Sequence, residues 1–233
     1  MGRNSQITYK LIQNERLKPV LFHGKEMFPL YLRVTYNRIP TLLKSYYFDL
    51  LKSSKYELAI AGKHKSSPLN QVMEAEKKAI EFVINKVGSD YDLSLDLFKK
   101  EYDRHSRDII SLMEEDFRGY LITFFNDEGY PAIAKMIANA GSSQKSEDLL
   151  YDLKSVLKPF LNTKLLNNAV HYAPPYIPIV AFVRTLRDNP LGILPVFAWL
   201  NEEIKASFTQ FIKQQLPSYD EKSINAYISQ IIG

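Results

Sequence analysis

Leu30-Tyr31-Leu32-Arg33-Val34-Thr35-Tyr36 is the stretch on which the fold class turns. Leu30, Leu32, Val34 and Tyr36 fall on one side of an extended chain; Tyr31, Arg33 and Thr35 fall on the other. Period 2 over this length marks a half-buried strand with one apolar face and one polar, basic face. Pro29 suits its opening, where no ladder donor is needed. Asn37-Arg38-Ile39-Pro40 reads as a turn. Residues 41–48, rich in Leu and aromatics, read as the returning strand. Upstream, residues 6–12 alternate in the same way, with Ile7, Tyr9 and Leu11 opposite Thr8 and Lys10. Residues 14–27, with Pro19 and Gly24, read as a loop with a short strand of their own at 20–23. The expected product is a small three-stranded antiparallel sheet.

The period changes at Ser67. Ser67 is an expected N-cap and Pro68 the first helical position; Val72, Ala75, Ala79, Ile80 and Val83 then recur at helical spacing up to Gly88. Helices are expected over 95–105, 107–126, 131–140 (closed by Gly141), 147–158 (closed by Pro159), 160–172, 178–187, 191–216 and 220–232. A polar break falls at 142–146 and a rigid extended kink at 173–178. Ser218 and Glu221 form the expected capping box of the last helix. No internal repeat occurs. The fold class is therefore α+β: a β module over residues 1–65, a basic joint at 61–67, and a mainly helical region over 66–233, divided into 66–125 and 126–233.

Composition limits the function. Of 233 residues, 45% are apolar and 12% aromatic, enough to build a core. Cys is absent, which excludes disulfides, thiolate metal sites and a Cys nucleophile. The first six residues are polar, so no secretory signal is expected, and Gln6 stands where a myristoylation pattern wants Ser or Thr. The charge-free stretch at 167–183 is broken by Pro174, Pro175 and Pro178, so no membrane span is expected. A soluble, cytoplasmic protein is the expectation. Charge is unevenly placed. Residues 1–65 hold twelve Lys or Arg against four acids, a net +8, while the remainder holds eighteen against twenty-two, a net −4. That split points to a polyanion-facing N-terminal module on a neutral-to-acidic body.

The segment Phe28-Pro29-Leu30-Tyr31-Leu32-Arg33-Val34-Thr35-Tyr36-Asn37-Arg38 resembles the arm-type DNA-binding domain at the N-terminus of tyrosine recombinases (the phage-integrase family), of the kind common in Bacteroidetes mobile elements. Residues 72–86 and Leu93-Ser94-Leu95-Asp96-Leu97-Phe98-Lys99-Lys100-Glu101-Tyr102 are similar to the linker helix and the start of that family's SAM-like core-binding region. The likeness covers residues 5–125, is specific at 28–38 and loose elsewhere. It implies a three-stranded sheet that enters a DNA groove and binds accessory arm sites. Carried over by position, the candidate DNA-binding residues are Lys10, Arg33, Thr35, Asn37, Arg38, Lys44 and Tyr46. A β ribbon fits the major groove, Arg pairs with guanine and Asn with adenine, and the lysines hold phosphates. The plain alternative is that Arg, Thr and Lys mark a solvated strand face.

The chain departs from the family in its chemistry. A tyrosine recombinase needs a cationic cage with a His-x-x-Arg helix and a nucleophilic Tyr. The residues three after His23, His64, His105 and His171 are Glu26, Ser67, Asp108 and Pro174. The 168 residues beyond residue 65 are also few for a core-binding domain and a catalytic domain together. No strand-transfer activity is expected, and no catalytic residue, metal or cofactor. No phosphate-cradling glycine motif occurs, and no His pair stands at helical metal-ligand spacing. Glu114-Glu115-Asp116 and Asp127-Glu128 read as solvated helix faces or ends, and Asp103-Arg104-His105-Ser106-Arg107-Asp108 as a salt-bridged exposed turn. The apolar stretches 172–178 and 191–200 read as core, or otherwise as a partner surface. The expected function is a non-catalytic, double-stranded-DNA-binding protein of mobile-element origin. The alternative is a helical protein–protein interaction or regulatory module, with a protein partner or a homodimer.

Overall fold

The sheet follows from the alternation. In the computed structural model, which describes residues 7–53, 56, 67–88, 94–140, 144–187, 189 and 191–233, the five strands are β1 (Thr8–Gln13), β2 (Val20–Phe22), β3 (Lys25–Met27), β4 (Leu30–Tyr36) and β5 (Ile39–Lys44). β4 lies between β1 and β5, antiparallel to both, and β2–β3 is a separate hairpin. The apolar side of the alternation is buried: Leu30, Leu32, Val34 and Leu43 are all nearly inaccessible. Each such side chain stabilises the fold by about 1.5–3 kcal/mol.

The expected four-residue turn at 37–40 is tighter than read. Tyr36 pairs with Ile39, so only Asn37 and Arg38 form the loop. Both have positive φ, 51° and 67°, the geometry of a type I′ hairpin turn, whose twist matches the strands. Pro40 lies within β5, an edge strand with one unpaired side, so its missing N–H is tolerated there. The β2–β3 turn repeats this geometry at His23 and Gly24; β3 was not expected from the sequence.

The returning strand is also shorter than read. It stops at Lys44, and α1 (Tyr46–Leu51) begins after Ser45. Ser45 caps this helix, its hydroxyl accepting from the Phe48 N–H at 3.1 Å. Residues 41–48 are mostly apolar, so their periodicity does not separate strand from helix.

Two helices complete the first unit, α2 (Pro68–Val87) and α3 (Leu95–His105). Both match their expected bounds. Ser67 and Ser94 cap their N-termini, Pro68 opens α2, and Gly88 closes it. The expected strand start at Gln6, most of the joint (61–66), Gly141 and Ser142-Ser143 lie outside the described residues. The chain divides into two compact units, Met1–Arg107 with Pro195–Phe197, and Asp108–Leu194 with Ala198–Gly233. α2 and α3 thus belong with the sheet.

The second unit is built on α4 (Ile109–Asp127), whose Ile109, Met113, Phe117, Leu121 and Phe125 are fully buried. α5 (Pro131–Ala140), α6 (Ser146–Val156), α8 (Tyr176–Thr185) and α11 (Glu221–Ile232) pack against it. α7 (Pro159–Tyr172) lies between α6 and α8 in the chain, and α10 (Glu202–Gln215) packs on α8. Gly129, at φ 79°, ends α4 and lets the Tyr130 N–H return to the Phe125 carbonyl at 2.7 Å. The expected kink at 173–178 is narrower, because α8 starts at Tyr176; Pro178 sits in its first turn, where a missing N–H is harmless. The expected helix 191–216 is interrupted. Gly192 takes φ 62°, α9 is the short Val196–Trp199, and Asn201 caps α10. Asp220, rather than Ser218, caps α11, accepting from the Ser223 N–H at 3.0 Å. The stretches 172–178 and 191–200 supply much of the core, through Tyr176, Leu191, Leu194 and Trp199 among others.

Candidate nucleic-acid interface

The register puts three rungs on the open face of the sheet. Lys10, Arg33 and Leu42 form one; Thr8, Thr35 and Pro40 form the next; Ile12, Tyr31 and Lys44 form the third. None of these nine residues is acidic. Their alternates face inward, where Tyr9 donates to Glu81 of α2 at 3.2 Å. Lys10 and Arg33 are directly opposed and exposed, and neither forms an ion pair among the described residues. Two cations facing one another across a ladder repel. An anion set between them removes that repulsion.

Thr35 stands one rung nearer the turn, half-buried on the same face. Asn37 and Arg38 form the exposed hairpin tip beyond it. Lys44 is on the face but not free. Its ammonium reaches Asp49 at 2.8 Å, and Lys52 reaches the other oxygen of the same carboxylate at 2.7 Å. Burial pushes the Asp49 carboxyl upward, but these two ammonium groups outweigh it and hold its pKa below the usual value. The bond to Asp49 also raises Lys44 above the ordinary lysine value. Tyr46 departs from the expected placement. It is the first residue of α1, half-buried, and its N–H donates to the Tyr102 hydroxyl at 3.1 Å. The structure therefore gathers Lys10, Arg33, Thr35 and Lys44 on one face, places Asn37 and Arg38 at its end, and leaves Tyr46 off the strand.

Buried glutamates brace both units and carry no sequence signal. Glu76 of α2 accepts from the Ser45 hydroxyl at 2.5 Å, the Tyr47 N–H at 2.9 Å and the Tyr102 hydroxyl at 2.6 Å. α1 with its cap, α2 and α3 are thereby joined at one side chain. Burial raises the Glu76 pKa, against these hydrogen bonds. Glu114 of α4 was expected on a solvated face; it is instead buried. It accepts from Arg118 at 3.2 Å, the Ser146 N–H at 2.5 Å and the Tyr176 hydroxyl at 2.7 Å. The patch at 103–108 is likewise no exposed turn, since His105, Ser106 and Asp108 are buried. Asp108 caps α4 through Ser111 and also accepts from the Leu194 N–H at 2.8 Å. A helix reads as polar from its sequence wherever Glu or Asp occurs; whether donors meet that carboxylate depends on distant residues such as Tyr176.

Among the described residues, no three His, Asp or Glu side chains stand close enough to hold a metal ion. No described helix is long and apolar enough to cross a membrane. No protein-family model, curated protein or solved structure matches the chain.

Proposed function

We propose that the chain is a non-catalytic protein that binds duplex DNA through the open face of its N-terminal sheet. The observation that carries this reading is the exposed Lys10–Arg33 rung on a face whose nine rung residues include no acid. A phosphate backbone supplies the anion that such a rung lacks, and counterion release makes that contact favourable. Arg33, Thr35, Asn37 and Arg38 then lie along one strand and its tip, positioned for base edges, while Lys10 and Lys44 hold phosphates. The resemblance of residues 28–38 to the arm-type domain of tyrosine recombinases supports the same reading, and with it a mobile-element origin.

The experiment is duplex binding by the full chain, with Lys10→Ala, Arg33→Ala and Lys44→Ala compared. Lys10→Ala and Arg33→Ala are expected to weaken binding by roughly 1–3 kcal/mol each. Lys44→Ala should weaken it less, because its charge is already shared with Asp49. Duplex binding unchanged by Lys10→Ala and Arg33→Ala would refute the interface.

A second reading has its own support. Ile39 and Leu42 on edge strand β5 are 63% and 46% exposed, and an edge strand with exposed apolar side chains suits a protein partner. Under that reading Leu42→Lys abolishes partner binding, while Lys10→Ala leaves it intact.

A further inference from the structure

In the second unit, α4, α7 and α11 line a groove of about 790 Å³. Its walls carry Asp116, Asp127 and Glu128 beside the rings of Tyr120, Tyr172 and Tyr227, with the His171 ring edge-on to Tyr172. Two of the three carboxylates are engaged. Asp116 accepts from the Tyr227 hydroxyl at 3.2 Å, and Glu128 pairs with Lys164 at 2.7 Å. Asp127 forms no ion pair among the described residues.

Backbone polarity adds to this charge. α7 ends at Tyr172, so one helix C-terminus, the negative end of its dipole, reaches the groove; the last carbonyls of α4 accept instead from the Glu128, Gly129 and Tyr130 N–H groups. Pro174, also on the wall, brings no N–H to the last carbonyls of α7. The site therefore favours a cation. It does not suit a metal ion, because no three ligating side chains converge among the described residues. Charge spread over a volume of this size, beside aromatic rings, suits a flat organic cation. Guanidinium meets both demands, pairing with a carboxylate and stacking on tyrosine. Tyr172 is 76% exposed, so the groove is open at that side and leaves room for a chain to carry the cation in.

We propose that this groove binds an arginine side chain of a basic peptide segment, held by Asp127 and stacked on Tyr172. The test is fluorescence anisotropy of the full chain with a labelled eight-residue Arg/Gly peptide, the same peptide with citrulline for arginine, and spermine as competitor. Asp127→Asn and Tyr172→Ala are the site variants; both residues are exposed, so the fold should survive. Glu203→Gln, an exposed acid of α10 outside the groove, is the control. The arginine peptide is expected to bind, and each site variant to weaken it about fivefold, with Glu203→Gln unchanged. Citrulline should reduce affinity at least about tenfold, since it keeps the shape and removes the charge. Four results would overturn the proposal: no binding of the arginine peptide, equal affinity for the citrulline peptide, no effect of Asp127→Asn, or an equal effect of Glu203→Gln. Binding of spermine through Asp127 and Tyr172 without binding of the peptide would also overturn it.

Discussion

Arg38 holds a backbone conformation that glycine adopts far more readily, at φ 67° on the second position of the β4–β5 turn. Replacing it by Gly relieves that strain, so Arg38→Gly should stabilise the fold by roughly 0.5–1 kcal/mol in urea denaturation. The same variant should bind duplex DNA more weakly. A loss of both stability and affinity would contradict the turn geometry; a gain in stability with unchanged affinity would remove Arg38 from the interface. Glu76 presents the opposite case, a side chain whose partners all agree. Tyr102→Phe removes one donor to Glu76 and the acceptor of the Tyr46 N–H, and should cost about 1–2 kcal/mol. Glu76→Ala leaves Ser45, Tyr47 and Tyr102 without their acceptor and should cost about 3 kcal/mol or more. Near-equal costs would mean that the carboxylate does not organise the site.

At the scale of elements, local signals decided where α2 and α3 begin and where α2 ends. α2 and α3 were legible because Ser67, Pro68, Gly88 and Ser94 each act within a few residues of themselves. β5 and α1 were not separated, because Leu42, Leu43, Tyr46, Tyr47 and Phe48 suit either period and the deciding bond, Ser45 to Glu76, spans 31 residues. Asp108 shows how a cap becomes tertiary. It satisfies the start of α4 and also the Leu194 N–H. Asp108→Ala should therefore cost about 2 kcal/mol or more, above an ordinary cap, measured by thermal or urea unfolding.

The α2–α3 pair also sets a pH response. His105 Nε2 stands 2.7 Å from the Lys86 ammonium and 3.0 Å from the Glu101 carboxylate, with Phe82 packed against the ring and Arg104 adding positive charge. Burial, then Lys86, holds the His105 pKa below 6.5, against the pull of Glu101. The unfolded chain thus takes up this proton first, so stability is full above about pH 6.5 and falls as pH drops toward the folded value. Glu101, depressed by Lys86, adds a further loss below the ordinary glutamate value of 4.5. His105→Gln should flatten the loss between pH 7 and 5. An unchanged slope would place its cause elsewhere.

By compactness the molecule divides at Arg107 and Asp108, and its composition changes near residue 65. Composition marks where β pattern gives way to helix; compactness follows burial, and α2 buries Val72, Ala79, Ile80 and Val83 within the sheet's own unit. The charge split was legible in the sequence, and so were Lys10, Arg33 and Thr35 on one face, because strand alternation fixes the face directly. The Asp49 bond to Lys44 and the helical placement of Tyr46 were not, because both depend on where β5 stops. The groove in the second unit was not legible as a site either, since Asp116 and Asp127 meet Tyr172 and Tyr227 only through tertiary packing.

Duplex binding by the open sheet face is tested by its salt dependence in the full chain. With Lys10 and Lys44 at phosphates and Arg33 and Arg38 at base edges, log K should fall against log salt with a slope of about −2, and Lys10→Ala should reduce its magnitude by about 1. A slope near zero, or one that Lys10→Ala leaves unchanged, would contradict duplex binding by this face.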